Sequence, residues 1–169
     1  MRNVVRDDAQ IIYEYRNNEL CARYQRGQTK DYEGILSLIE QRKTDILSLE
    51  QPAFVAVALK DTNEMIGEVV VIPNEGTISL GYTFSYRHHR KGYGYEALSC
   101  LISQLHDRYP QWDFVSFTHP DNEASKGLLL KLGYRDMGYL PAKDSRVFGK
   151  WLRPDTIREL AEAMEKQRK

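Results

Sequence analysis

Residues 77–97 read TISLGYTFSYRHHRKGYGYEA, and this stretch decides the fold. A β-rich segment runs into a turn that contains Gly92 and Gly94, and a helical pattern follows at once. Glycine lets a ligand approach the backbone closely, and the first N–H groups of a helix have no partner inside it. The helix dipole adds positive charge at this end. Three basic side chains lie in the same turn: Arg87, Arg90 and Lys91. The stretch therefore predicts an anion site that suits a pyrophosphate.

The composition limits the classes of protein to consider. The 169 residues are 41% apolar, which predicts one domain, residues 1–169, with one sizeable core. Lys plus Arg equals Asp plus Glu at 24 each, so the chain has no global basic field, and we expect no nucleic-acid partner. Cys21 and Cys100 are far apart in sequence and indicate free thiols in a reducing compartment. No apolar run is long enough for a membrane span, so we expect no membrane partner and a cytoplasmic protein.

Around the opening stretch, the pattern predicts an α/β fold with a mixed sheet flanked by helices. Two helices come first, the second capped by Thr29, with a loop over residues 19–28 between them. β-rich runs at 54–59, 65–72 and 77–84 are separated by turns and predict an antiparallel meander. A helix, a strand at 114–118 and a second helix follow, and this crossover predicts a parallel pair. A final hairpin and an added C-terminal helix, 155–168, complete the chain. The sequence leaves open whether that helix packs on its own domain or in a homodimer.

Two motifs at a characteristic separation carry a family resemblance. Gly92-Tyr93-Gly94-Tyr95-Glu96-Ala97 is followed by Asp121-Asn122-Glu123-Ala124-Ser125 and then by Leu132-Gly133-Tyr134. Together they closely resemble the GNAT acetyltransferases, and most closely the RimJ/RimL-like branch of N-terminal acetyltransferases. The resemblance covers roughly residues 2 to 152 and implies the GNAT fold. It also implies an acyltransferase that uses acetyl-CoA.

The resemblance also implies where the cofactor lies. The pantetheine arm would pair with the backbone at the end of the third strand, and the pyrophosphate would lie on the N–H groups of the turn, with Asn122 and Ser125 forming a second wall. The implied cofactor-binding residues are Phe84, Ser85, Tyr86, His89, Arg90, Lys91, Gly92, Tyr93, Gly94, Tyr95, Asn122 and Ser125. His89 and Gly94 depart from the residues most common in the branch.

The catalytic groups are less well specified. Leu129 stands where many GNAT enzymes carry a tyrosine acid, so the resemblance makes Ser125 the replacement candidate. Ser125 also shares a helical face with leucines, so the alternative is a core position in which it bonds a carbonyl one turn earlier. Glu68 is the first candidate for the base, followed by His88 and His119, and a water relay is an equal alternative. The histidines lack metal-ligand spacing, so we expect no metal.

The acceptor is the least determined feature. The RimJ/RimL resemblance implies a primary amine, either a protein N-terminus or a small molecule. Five side chains of the helix-loop-helix region are candidates for the acceptor side: Tyr15, Arg16, Tyr24, Arg26 and Tyr32. The alternative function is a non-catalytic sensor or interaction module that binds CoA on the same fold.

Overall fold

The computed structural model describes residues 1–165. This part of the chain contains six helices and six strands, with short 3₁₀ turns at Arg6–Asp8, Tyr86–His88 and Pro141–Lys143. In chain order the elements are α1 Ala9–Arg16, α2 Glu19–Ala22, α3 Tyr32–Arg42, β1 Ala53–Ala58, β2 Met65–Asn74, β3 Thr77–Phe84, α4 Tyr93–Arg108, β4 Asp113–Thr118, α5 Glu123–Lys131, β5 Arg135–Leu140, β6 Ser145–Lys150 and α6 Pro154–Glu165. None of these helices is long and apolar enough to cross a membrane.

The strands form one six-stranded sheet with the order β1-β2-β3-β4-β6-β5. β1 and β2 are antiparallel, β3 and β4 are parallel at Thr77–Asp113 and Ile78–Phe114, and β6 is antiparallel to both β4 and β5. The predicted mixed α/β sheet is therefore confirmed. The chain groups into two compact units, Met1–Ile72 with Leu80–Ala97 and Pro73–Ser79 with Leu98–Lys169. A single domain stays a prediction.

The first unit has its core between the leading helices and the β1–β2 hairpin. Its buried apolar residues come from the N-terminal segment, α1, α2, α3 and both strands: Val4, Ala9, Ile12, Tyr15, Cys21, Ile35, Ile39, Phe54, Ala56 and Met65. In the hairpin register Ala56 lies opposite Glu68. Since side chains alternate along a strand, Glu68 shares its face of β2 with Ile66, and both are buried.

The second unit has its core around Val115, Leu140 and Val147. The C-terminal helix α6 packs on this core through Leu160, Ala163 and Met164, whereas a homodimer stays a prediction. The helix begins at Pro154, the position where a missing N–H costs least. The predicted part of this helix at residues 166–168 lies outside the described residues.

Two local predictions in the first unit are wrong. Asp31, not Thr29, caps α3, because its carboxylate accepts a hydrogen bond from the Gly34 N–H at 2.7 Å. The predicted loop 19–28 contains the short helix α2, since the Asn18 side chain caps it by accepting from the Leu20 N–H.

Candidate active site

The end of β3 has a main-chain side that faces away from β2. The Ser85 N–H donates to the Ile66 carbonyl of β2 at 2.8 Å. Successive residues of a strand direct their N–H and C=O groups to opposite sides, so those of Tyr82 and Phe84 face away from β2. An extended ligand with amide groups can therefore hydrogen bond along this side as an added strand would.

The turn after β3 has a backbone conformation that requires glycine at one position. Gly92 has φ +85°, and a Cβ at this residue would have no atom within 4 Å. The backbone is thus accessible at Gly92, immediately before the first residue of α4, Tyr93. Arg90 also has a positive φ, +59°, and its side chain and that of Lys91 are exposed. Open space, helix N–H groups and two cations fit the pyrophosphate of a CoA thioester.

His89 connects this turn to β3. Its Nε2 lies 2.8 Å from the Phe84 carbonyl oxygen, so Nε2 carries the proton, because a carbonyl only accepts. Arg87 has a different role from the other two basic residues. Its guanidinium pairs with Glu14 of α1 at 2.8 Å, which ties the start of the turn to the first helix.

Glu68 is the centre of a buried polar network. Its carboxylate accepts from the Arg16 guanidinium at 2.8 and 2.9 Å, from the Tyr15 hydroxyl at 2.5 Å and from the Gln28 amide at 2.9 Å. The exposed fractions of the Arg16 and Glu68 side chains are 4% and 2%. Gln28 also donates to the Thr83 hydroxyl at 2.9 Å, which joins the network to β3.

Burial and the nearby charge shift the pKa of the Glu68 carboxylate in opposite directions. Burial raises the pKa of Glu68 above its ordinary value, whereas the Arg16 charge and the hydrogen bonds from Tyr15 and Arg16 lower it. Burial and the Glu68 charge raise the pKa of Tyr15 well above its ordinary value. Both oxygens of Glu68 already accept hydrogen bonds, so the geometry favours holding neighbouring elements in place over removing a substrate proton.

The network corrects the predicted acceptor side. Tyr15 and Arg16 are buried among the contacts of Glu68, and they cannot line an exposed surface. Tyr32 is 40% exposed and packs edge-on against Tyr13, with ring centroids 5.7 Å apart. Sequence reasoning missed Tyr15, Arg16 and Gln28 as partners of Glu68. A signal existed for Arg16 alone, since it lies one helical turn after the core residue Ile12.

The second motif lies at the start of α5. Asn122 caps the helix, and its Oδ1 accepts from the Ser125 N–H at 3.1 Å. Ser125 is half-buried in the first turn, whereas Leu129 is buried in the core. His119 lies just before this helix and accepts a hydrogen bond at Nδ1 from the Asp121 N–H at 3.2 Å.

The last candidate base is His88, and the histidines also bear on the prediction that no metal is bound. His88 is half-buried, 3.7 Å from Glu64 and edge-on to the Tyr93 ring. Over residues 1–165, no group of three or more His, Cys, Asp or Glu side chains could hold a metal ion.

Comparison with known proteins adds independent observations. The model of the Acetyltransferase (GNAT) domain family matches residues 1–135. An uncharacterized N-acetyltransferase of Bacillus subtilis, YoaA, is 25% identical over 144 residues, which cover 83% of this chain and 81% of that protein.

Two solved structures show the same fold. The microcin self-immunity acetyltransferase MccE, in complex with acetyl-CoA and AMP, superposes with a TM-score of 0.74 at 20% identity, covering 88% of this chain and 89% of that one. RimL, a ribosomal alpha-N-protein acetyltransferase in complex with coenzyme A, superposes with a TM-score of 0.72 at 13% identity, covering 88% and 91%. The family match and the fold agree, and the chain therefore belongs to the GNAT acetyltransferase family and is an acetyl-CoA-dependent N-acetyltransferase.

Proposed function

We propose that this enzyme acetylates a primary amine, either a protein N-terminus or a small-molecule amine. The observation that carries the proposal is the main-chain side of β3 that faces away from β2, followed along the chain by the open turn at Gly92. These two features suit an extended amide-containing arm and a pyrophosphate in that order. The names of RimL and MccE support the two acceptor types, since one acts on a ribosomal protein and the other confers self-immunity to microcin.

We assign cofactor binding to the residues that the family resemblance implied. The backbone of Phe84, Ser85 and Tyr86 would contact the arm. The turn would hold the pyrophosphate through its N–H groups and cations: His89, Arg90, Lys91, Gly92, Tyr93, Gly94 and Tyr95. Asn122 and Ser125 are assigned to the same cofactor from the second motif. When bound, acetyl-CoA supplies a thioester whose carbonyl carbon a neutral amine can attack.

Proton transfer limits the choice of acceptor. An α-amino group has a pKa of about 8 and is partly neutral near pH 7, whereas a lysine side chain, with a pKa of about 10.4, holds its proton more tightly. An α-amino acceptor therefore needs less help from a base. Ser125 Oγ is the proposed proton donor to the leaving thiolate.

Glu68 stays a prediction as the general base. Its contacts favour a positioning role, because they occupy both carboxylate oxygens and leave 2% of the side chain exposed. His88, His119 and a bound water are the other proposed routes for the amine proton. A pH profile of turnover in Glu68→Gln separates these roles, since losing a base removes the acidic limb of the profile and losing a positioning contact does not.

Thermal unfolding with and without acetyl-CoA tests the cofactor assignment. At a ligand concentration of a hundred times Kd, the expected stabilisation is about 2.7 kcal/mol. Lys91→Gln should weaken binding, because the cation near the proposed pyrophosphate position is lost. Lys60→Gln is the matched control, since Lys60 is exposed in the β1–β2 turn. Equal affinities of the two variants would contradict the assignment of the turn.

Thiol release over an amine panel tests the acceptor assignment. The panel contains a short peptide with a free N-terminus, a polyamine and an N-terminally blocked peptide with one lysine. We expect release with the first or the second and little with the third. Binding of acetyl-CoA without release on any amine would favour the sensor. No binding would overturn the cofactor assignment.

The proposed location is the cytoplasm. Cys21 and Cys100 are both free thiols, which suits a reducing compartment. A homodimer stays a proposal that the measured mass in solution tests.

A further inference from the structure

The side of β3 that faces away from β2 is contacted by side chains of one short segment. Gln25 donates from Nε2 to the Tyr82 carbonyl at 3.0 Å, and the Cys21 thiol donates to the Phe84 carbonyl at 3.3 Å. These carbonyls are two residues apart and both face away from β2, so they are about 6.7 Å apart along the strand. The donors therefore repeat the spacing of an adjacent strand with side chains instead of a backbone. We call residues 19–28 the cover segment.

The Cys21 thiol is protonated, as a hydrogen-bond donor must be. Its side chain is 8% exposed, and burial raises the pKa of the thiol above its ordinary value, while a hydrogen bond with the Tyr86 backbone lowers it. The thiol thus keeps its proton and contacts main-chain groups of Phe84, the last residue of β3, and of Tyr86 in the 3₁₀ turn that follows. The Phe84 carbonyl also accepts from His89, so it has a donor without Cys21.

The cover segment is anchored at both ends. Asn17 donates to the Lys30 carbonyl at 2.8 Å, and Arg16 donates to the Thr29 carbonyl at 3.0 Å, which closes the segment at its base. Gln28 joins its end to Glu68 and Thr83. Between these anchors α2 has only four residues, and a helix of that length has little stability of its own. The hydrogen bonds of Cys21 and Gln25 connect this part of the segment to β3.

We propose that the cover segment occupies in the free enzyme the β3 carbonyls that the cofactor arm uses, and that acetyl-CoA binding releases it. The arm of acetyl-CoA is extended and carries two amide N–H donors, the same kind of donor that Gln25 presents. At the Tyr82 carbonyl an amide N–H of the arm replaces the Gln25 amide. The carbonyl therefore keeps a hydrogen-bond donor when the segment leaves. The inference rests on the proposed cofactor position along β3.

Release of the segment leaves its far end in place. Cys21 and Gln25 move away, while Gln28 stays anchored to the Glu68 network at the other end. The enzyme thus has one arrangement of residues 19–28 before acetyl-CoA binds and another afterwards.

The accessibility of the Cys21 thiol tests the release. Cys100 is exposed, so Cys100→Ser removes the competing thiol. Iodoacetamide labelling of this variant is followed by intact mass with and without saturating acetyl-CoA, which has no free thiol. We expect labelling to accelerate at least about fivefold when acetyl-CoA is present, because a covered thiol becomes open. An unchanged or slower rate would overturn the inference.

Thermal unfolding of the same samples shows whether a failure concerns the cover segment or the proposed cofactor site. A stabilised protein with unchanged labelling overturns the cover segment alone. A protein with no stabilisation overturns the proposed cofactor site, and this inference with it.

Gln25→Ala provides a second test that does not depend on labelling. Removing one competing hydrogen bond of about 1 kcal/mol should tighten acetyl-CoA binding about fivefold in calorimetry. Gln104→Ala is the matched control, because Gln104 is an exposed glutamine of α4, remote in sequence from the cover segment. Weaker binding by Gln25→Ala would show that Gln25 contacts the cofactor, and equal binding would show that it does not compete. Either result contradicts the inference.

Discussion

Replacing Arg16 by methionine tests the buried network directly. Arg16 and Glu68 form an ion pair at 2.8 Å with exposed fractions of 4% and 2%. Removal of one partner from a buried pair costs about 3–5 kcal/mol, because the other charge stays buried without compensation. Total stabilities are about 5–15 kcal/mol, so Arg16→Met should lose a large part of the free energy of unfolding. Methionine is close to arginine in length and replaces its aliphatic stem, but it carries no charge.

The pH dependence of this loss distinguishes a charge effect from a packing effect. Arg16 lowers the pKa of Glu68, and its removal leaves burial to raise that pKa further. A carboxyl group with a raised folded-state pKa is most stabilising below its unfolded pKa of about 4.3, and this contribution is lost as the pH rises through the folded-state pKa. The deficit of Arg16→Met relative to the wild type should therefore be smaller at about pH 5 than at about pH 8.

Urea unfolding followed by circular dichroism measures both quantities. With a slope of about 2 kcal/mol/M and a loss of about 4 kcal/mol, the midpoint at about pH 8 should fall by about 2 M. Arg16→Met with Glu68→Gln should recover more than half of the loss, because a carboxamide cannot ionise and still accepts from Tyr15. Arg6→Met, an exposed control, should stay within about 0.5 kcal/mol. An equal deficit at both pH values, or no recovery in the double variant, would refute the reasoning.

Two further substitutions test the second motif and the end of β3. Ser125→Ala should lower turnover about a hundredfold with little change in Tm. The control Ser103→Ala, at an exposed serine of α4, should change neither quantity. Normal turnover of Ser125→Ala with a marked loss of stability would assign Ser125 to the core. Gly67→Ala should destabilise by about 1–3 kcal/mol in urea unfolding, because its Cβ would lie 2.6 Å from the Phe84 ring. Gly81→Ala, where the Cβ would meet nothing within 4 Å, should be close to neutral, and equal losses at the two glycines would contradict the packing argument.

The sequence by itself determined the features that depend on neighbouring residues. The β-rich run, the glycine-containing turn and the helical stripe are encoded within residues 77–108, so the strand, the turn and α4 could be predicted together. The cap of α5 by Asn122 is equally local. The order of these elements and the two motifs together were sufficient to predict the mixed sheet and the family.

The tertiary structure decided the features that depend on residues distant in the chain. A strand pattern shows that side chains alternate but not which face is covered, and so Glu68 could not be assigned to the interior. Its partners Arg16 and Gln28 come from helices and loops about 40 to 50 residues earlier. The contacts of Cys21 and Gln25 with β3 likewise join residues about 60 apart. Such contacts follow from how elements pack, and no local propensity encodes them. Local propensity therefore specified the glycine-containing turn, and packing specified what surrounds it.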